Sequence, residues 1–284
     1  MKINTISPEK QSYLQIVSAI AKPPKKLHFI GKLPENRVET VAIVGTRKPT
    51  AYGKEVAHQL AYDLAKHGVI VISGLALGID SIAHRAALEA NGTTLAVLAN
   101  GVDKPYPTSH TNLAREILKS GGALISEYEP GTPPLPHQFL ARNRIVSGLA
   151  DAVIVVEAAQ RSGTLSTVNH ALEQGKDVFA VPGNITSPLS AGCNALIKQG
   201  AQPITSADDV LQILKPQFKK EHSQIFVDTP TEQTILDLLQ QGVRDGDELL
   251  EKSELNASEF NQTLSMLEIK GIVRALGANQ WTVK

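Results

Sequence analysis

Apolar residues come in short, nearly unbroken runs separated by longer stretches of helical periodicity. Val41-Ala42-Ile43-Val44 leads into a periodic stretch from Thr50 to Lys66. Val69-Ile70-Val71-Ile72 leads into Ile79 to Ala90, and Thr94-Leu95-Ala96-Val97-Leu98 into Asn112 to Lys119. Ala123-Leu124-Ile125 is followed by a Pro-rich loop. Ala152 to Val156 precedes a helix over Thr164 to Gln174, and Val178 to Val181 one over Leu189 to Gln199. Strand runs that are apolar throughout are buried on both faces. Their alternation with helices predicts an α/β fold, a doubly wound, mostly parallel sheet. His67-Gly68, Asn91-Gly92 and Gln174-Gly175 supply helix stops.

The pattern changes after Leu214. A polar stretch over 215–229 reads as a linker. Helix-like segments follow at Glu232 to Gln240, Gly246 to Glu251 and Ala257 to Lys270. Two short strands, Ile272 to Leu276 and Gln280 to Val283, complete a small C-terminal winged-helix domain. The expected organisation is therefore a lead-in at 1–40 packing on the core, a Rossmann-like domain at 41–214, the linker, and the winged helix at 230–284.

Composition narrows the function classes. Lys+Arg and Asp+Glu both number 28 of 284 residues, so the chain is not a uniformly basic coat for nucleic acid, although a local basic patch is compatible. Residues 1–40 hold seven basic against three acidic groups, and residues 215–284 eight against 11. A lone Cys193 excludes a disulfide framework and suits a reducing cytoplasm. No apolar leader or spanning stretch is visible, and a membrane partner is not expected.

In an open parallel sheet, ligands bind beyond the carboxyl ends of the strands. Three turns there carry anion-binding chemistry. Gly45-Thr46-Arg47-Lys48 precedes the helix started by Thr50, whose N-terminus is partly positive. Gly74 and Gly78 bracket a second turn. Arg161-Ser162-Gly163-Thr164 offers a guanidinium, two hydroxyls and an amide at a helix start. Phe139, Arg142, Asn143 and Arg144 add charge, amide and a stacking face; spacing alone does not choose between DNA contacts and salt bridges for these arginines. Asp80 and His84, spaced i,i+4, read as structural for want of a third ligand. Several anion sites along one sheet edge suit a nucleic-acid backbone better than a mononucleotide. Aromatics are 4% of residues, so phosphate contacts should dominate, with little sequence preference.

Ala42 to Arg47, Ser73 to Asp80 with Ala83-His84, Tyr106-Pro107, Arg142-Asn143-Arg144-Ile145-Val146, Ser162 to Leu165, Val178 to Gly183 and Gly192 to Ile197, in that order, resemble the DNA-processing protein A (DprA/Smf) family. The resemblance runs from about Leu27 to Leu214. It implies a non-catalytic, cofactor-free homodimer that binds single-stranded DNA and loads the RecA recombinase during natural transformation. It implies a DNA pocket built from Gly45, Thr46 and Arg47, from Phe139, Arg142, Asn143 and Arg144, and from Ser162, Gly163 and Thr164. Thr46 stands where Ser is common, Leu140 where Pro is common, and His110 where Asn is usual. The family's N-terminal helical domain is expected to be missing.

The main rival is a nucleotide-monophosphate phosphoribohydrolase, which is similar to this family in fold. That chemistry needs a carboxylate in the helix turn after Ser162-Gly163-Thr164, and none lies before Glu173. A duplex-reading winged helix is disfavoured, because Glu259 and Glu268 outnumber Lys270 on the candidate recognition helix.

Overall fold

The computed structural model describes residues 2–215, 217, 227–277 and 279–283. The chain divides into two compact units, Met1–Lys219 and Lys220–Lys284. Most of the linker expected over 215–229 lies outside the described residues.

Unit one is built on a single sheet. Its strands are β1 (Asn4–Ile6), β2 (Leu27–Gly31), β3 (Thr40–Val44), β4 (Ile70–Ser73), β5 (Thr94–Leu98), β6 (Ala123–Ser126), β7 (Ala152–Val155), β8 (Asp177–Ala180) and β9 (Gln202–Pro203). Their spatial order is β1-β2-β6-β5-β4-β3-β7-β8-β9. All pairs from β6 across to β9 are parallel, with β3 flanked by β4 and β7. The chain winds outward from β3 through β4, β5 and β6 on one side, then returns to β7 on the other. The topological switch point therefore lies between β3 and β7, where ligand crevices form in such sheets.

Both sheet faces are covered, as the apolar runs require. Val41, Ile43, Val71, Ile154 and Phe179 pack under α1 (Ala51–Lys66), α2 (Ile79–Glu89) and α7 (Ala207–Leu214). Ala96, Leu98 and Leu124 meet α3 (Thr111–Lys119) on that side. Ala42, Val44, Ile72, Val153 and Val155 face the other layer, which holds α4 (Pro136–Leu149), α5 (Thr164–Glu173) and α6 (Ala191–Lys198).

The lead-in is sheet as well as packing segment. β1 and β2 add antiparallel edge strands through β6. Tyr13, Leu14, Val17 and Ile20 join the core beside α4. Burial pushes the Tyr13 phenol up to about 12, and its hydroxyl bonds Thr40 Oγ1 at 2.9 Å. Arg37 lies over the Tyr13 ring and pairs with Asp151 at 2.7 Å.

Asp80 and His84 are structural, but not as partners of each other. Thr94 Oγ1 donates to Val71 O, so it accepts from His84 Nδ1–H at 2.7 Å, leaving Nε2 as the bare, buried nitrogen. Burial, with His110 and Arg142 nearby, lowers the His84 pKa to about 3. Because the folded value lies below the unfolded one, stability is full above pH 6.5 and falls as pH drops from 6.5 toward 3. The expected loss is up to about 1.4 kcal/mol per pH unit. A His84→Gln variant should flatten that limb of a urea-midpoint profile against pH; an unchanged profile would contradict the assignment.

The second unit holds α8 (Pro230–Gln240), α9 (Gly246–Ser253), α10 (Ala257–Ile269) and a hairpin of β10 (Val273–Gly277) and β11 (Gln280–Val283). Thr229, Asp245 and Asn256 cap the three helices through their side-chain oxygens. Ile235, Leu239, Leu249, Phe260, Leu264, Leu267 and Val273 form its core. Three helices and a wing match the expected pattern.

Candidate nucleic-acid interface

The switch point holds a cavity of about 360 Å³. Three carboxyl-end turns meet there: β3–α1 with Gly45, Thr46 and Arg47, β4–α2 with Gly74, and β7–α5 with Arg161, Ser162, Gly163 and Thr164. Phe139, Arg142 and Asn143 of α4 close one wall. Eleven of the thirteen residues singled out in the sequence thus line one space. Lys48 and Arg144 do not. Lys48 is exposed on the turn, and Arg144 is paired with Glu127 at 2.6 Å.

Close packing shapes the first turn. A Cβ on Gly45 would sit 2.6 Å from Ile79 Cγ1 and 2.9 Å from Glu157 O. Gly78 has φ +81°, and a Cβ there would meet Thr46 O at 2.3 Å. The two turns therefore interlock, and Ile79 N donates to Thr46 O at 3.2 Å. Thr46 N in turn donates to Glu157 O at 2.7 Å.

One expectation changes at the start of α1. Its N-terminus is not open to an external anion, because the chain supplies its own. The buried Glu157 carboxylate accepts from Thr50 N at 2.9 Å and from the Thr50 hydroxyl at 2.6 Å. It lies so close that a Cβ on Gly53 would be 2.2 Å from Oε2. Glu157 sits one residue past the apolar run of β7, and nothing in its spacing from Thr50, 107 residues away, pointed to the pairing. Glu157→Ala removes the partner of a half-buried amide and is expected to cost about 1–3 kcal/mol in urea unfolding. A loss below the scatter of the measurement would show the contact to be idle.

The four arginines of this region divide by environment. Arg142 is 5% exposed. Its Nη1 donates to Gly74 O at 2.9 Å and also to Val97 O. Burial lowers its pKa to about 10, opposed by Asp80. Burial likewise raises the Asp80 pKa, opposed by Arg142 and by amide bonds from Ala76 and Gly74. Gly74 leaves room for this pair: a Cβ there would be 2.4 Å from Arg142 Nη2 and 2.8 Å from Asp80 Oδ2. Arg142 is thus a tie between α4 and the sheet edge, and shows the cavity only a sliver of its surface. Arg144 is held by Glu127. Arg47 and Arg161 remain exposed and make no ion pair among the described residues. Arg47 lies over the Phe139 ring at 5.5 Å, and Phe139 meets Tyr106 at 5.8 Å in a tilted pair. Tyr106 does not line the cavity but packs on Phe139, which does; Ala159 and Thr167 are lining residues that sequence reasoning left out.

At the far wall, α5 points its first turn toward the cavity. Thr164 N donates to Ser162 Oγ at 3.2 Å, and Ser162 Oγ donates to Thr164 Oγ1 at 3.1 Å, which fixes the turn. Among the described residues, Asp80 is the only carboxylate in the lining, and its Oδ2 is taken up by amides at 3.0 and 3.3 Å. Among the described residues, no group of three His, Cys, Asp or Glu side chains is arranged to hold a metal ion, and no helix is long and apolar enough to cross a membrane.

Residues 4–215 match the profile of the DNA recombination-mediator protein A family, and residues 220–279 that of the DprA winged helix domain. The chain belongs to the DNA recombination-mediator protein A family. A Mycobacterium tuberculosis relative is 41% identical over 253 residues, covering 85% of this chain and 64% of that one. The chain thus spans just under two thirds of that relative's length. The solved structure of DNA processing protein A (DprA) from Streptococcus pneumoniae superposes with a TM-score of 0.69 at 39% identity, covering 77% of this chain and 75% of that one. DNA processing protein A from Helicobacter pylori, solved in a study of its single-stranded DNA binding mode, gives 0.68 at 33% identity, covering 77% and 98%. The chain shares its α/β fold with these two structures, each of which covers 77% of it.

Proposed function

We propose that the protein binds single-stranded DNA in the switch-point cavity without breaking a bond in it. The observation that carries this reading is the pair of uncommitted guanidiniums, Arg47 and Arg161, set around one cavity with the amide turn of α5. Two cations and a helix start favour phosphate. The Arg47–Phe139–Tyr106 array offers a face to a base, which only an unpaired strand can present. The likeness to the Helicobacter pylori protein supports the same ligand.

The rival phosphoribohydrolase reading lacks its chemistry. Asp80 is committed to amides and to Arg142, and Glu157 to Thr50, so neither carboxylate is free to assist glycosidic cleavage. The winged helix is not a duplex reader in this account. Lys270, at the end of α10, is bound by Asp228 and Glu232, both at 2.6 Å, and Glu259 and Glu268 remain on that helix. Family membership supports the finer reading: a cytoplasmic homodimer that protects incoming DNA and hands it to the RecA recombinase during natural transformation. Labelled oligonucleotides titrated by anisotropy test the ligand assignment. Single strands should bind and matched duplexes compete poorly. Release of free base from nucleoside monophosphates, abolished by Arg161→Ala, would replace binding with catalysis.

A further inference from the structure

A second cavity, also about 360 Å³, lies between the lead-in segment and the later turns of α4 and α5. Ile16 and Ile20 give it an apolar floor. Lys22 and Lys176 stand on its wall, and neither makes an ion pair among the described residues. Of the other charged groups, Arg144 is held by Glu127 at 2.6 Å, and Glu173 adds one carboxylate to the lining, its Oε2 3.3 Å from His170 Nδ1. Half-burial lowers the Lys176 pKa, with Asp151 and Arg37 acting on it in opposite senses. Gln174, also in the lining, donates to Arg144 O through Nε2 at 3.0 Å, while its buried Oε1 has no partner.

The two cavities share their helices. Asn143 lines the first and Arg144 the second; Thr167 lines the first and His170 the second. Along α5 that step is three residues, about 4.5 Å of rise. A ligand for the second cavity needs an anion for two ammonium groups and a flat apolar body for the isoleucine floor. A nucleotide has both: phosphate and base.

We propose that this cavity is a second nucleotide station, which takes the phosphate of a nucleotide through Lys22 and Lys176 and its base on the Ile16 and Ile20 floor. It rests on the reading of the first cavity as the strand's main site, and it extends the bound strand's path along α4 and α5. The same chemistry in a free nucleotide is the alternative source.

The test compares wild type, Lys22→Ala/Lys176→Ala, Lys22→Glu and Arg47→Ala. Anisotropy is read with a dinucleotide and with an oligothymidylate of about 20 residues. The double variant should weaken long-strand binding by on the order of tenfold and reduce the salt slope by about 0.7–1.4. Its dinucleotide affinity should change little. Lys22→Glu, a change at an exposed residue, should reproduce the long-strand loss with an unchanged melting temperature, which separates the effect from misfolding. Thymidine monophosphate that raises the melting temperature of Arg47→Ala, but not of the double variant, would identify a free nucleotide as the occupant. If the lysine variants titrate like wild type on every probe while Arg47→Ala is weakened, the second station is wrong and the first stands. If Arg47→Ala alone binds like wild type, the first-cavity reading falls instead.

Discussion

Arg142→Ala is expected to destabilise the first unit by about 3–5 kcal/mol, because it strips a buried carboxylate of its counter-charge. Asp80 is 7% exposed and is left with the Gly74 and Ala76 amides and the Ser73 side chain when the guanidinium goes. The carbonyls of Gly74 and Val97 lose a donor at the same time. Arg142→Lys retains a charge but not the planar fork, so its loss should fall between alanine and wild type. Gly74→Ala should reproduce part of the effect from the other side, since its methyl group would enter the space that the guanidinium fills. Urea unfolding of the three variants checks this. An Arg142→Ala midpoint close to wild type would mean that the tie between α4 and the sheet carries no weight.

Arg47→Ala should leave stability within about 0.5 kcal/mol of wild type, as expected for an exposed residue. Its effect belongs to binding. The variant removes one of two uncommitted cations and uncovers Phe139, so single-strand affinity at low salt should fall by on the order of tenfold or more. The slope of log affinity against log salt should shrink by about 0.7, the share of one phosphate contact on a single strand. Arg47→Lys should keep the slope and lose part of the affinity, because an ammonium holds the charge without the planar stacking. Wild-type affinity and slope for Arg47→Ala would remove Arg47 from the interface.

The contrast between these arginines shows where sequence reading reaches its limit. β3 to β8 are apolar on both faces, and that single property announced a covered parallel sheet and the edge at which turns would gather. The winged helix is equally plain, because three helix-like segments are followed by two short strands; Thr229, Asp245 and Asn256, which cap the helices, appear only in the structure. α4 was hidden. Its buried positions include Gln138, Arg142 and Ser147 beside Ile145, Val146 and Leu149, so three of them are polar and the amphipathic signal is broken by the very residue that anchors it. β1, β2 and α7 were missed as short elements defined by their neighbours more than by their own pattern. Spacing left Arg142 and Arg144 undecided between a ligand and a carboxylate; only three dimensions place Asp80 beside one and Glu127 against the other. Glu157 is the converse case, a residue next to a candidate anion turn that answers the helix charge from within. Between Ile185 and Ile197, Cys193 and Leu196 are core, with the thiol pushed up to about 11 by burial, while Ile185 is 92% exposed.

The central claim is that the switch-point cavity holds an unpaired strand through Arg47 and Arg161 without chemistry. Anisotropy of a labelled oligothymidylate across a salt series, with wild type, Arg47→Ala and the Arg47→Ala/Arg161→Ala pair, reads it directly. The account predicts tight, salt-sensitive single-strand binding whose slope falls by about 0.7 and then about 1.4, with a matched duplex competing weakly throughout. Equal slopes in all three proteins, or a duplex that displaces the strand at parity, would contradict it.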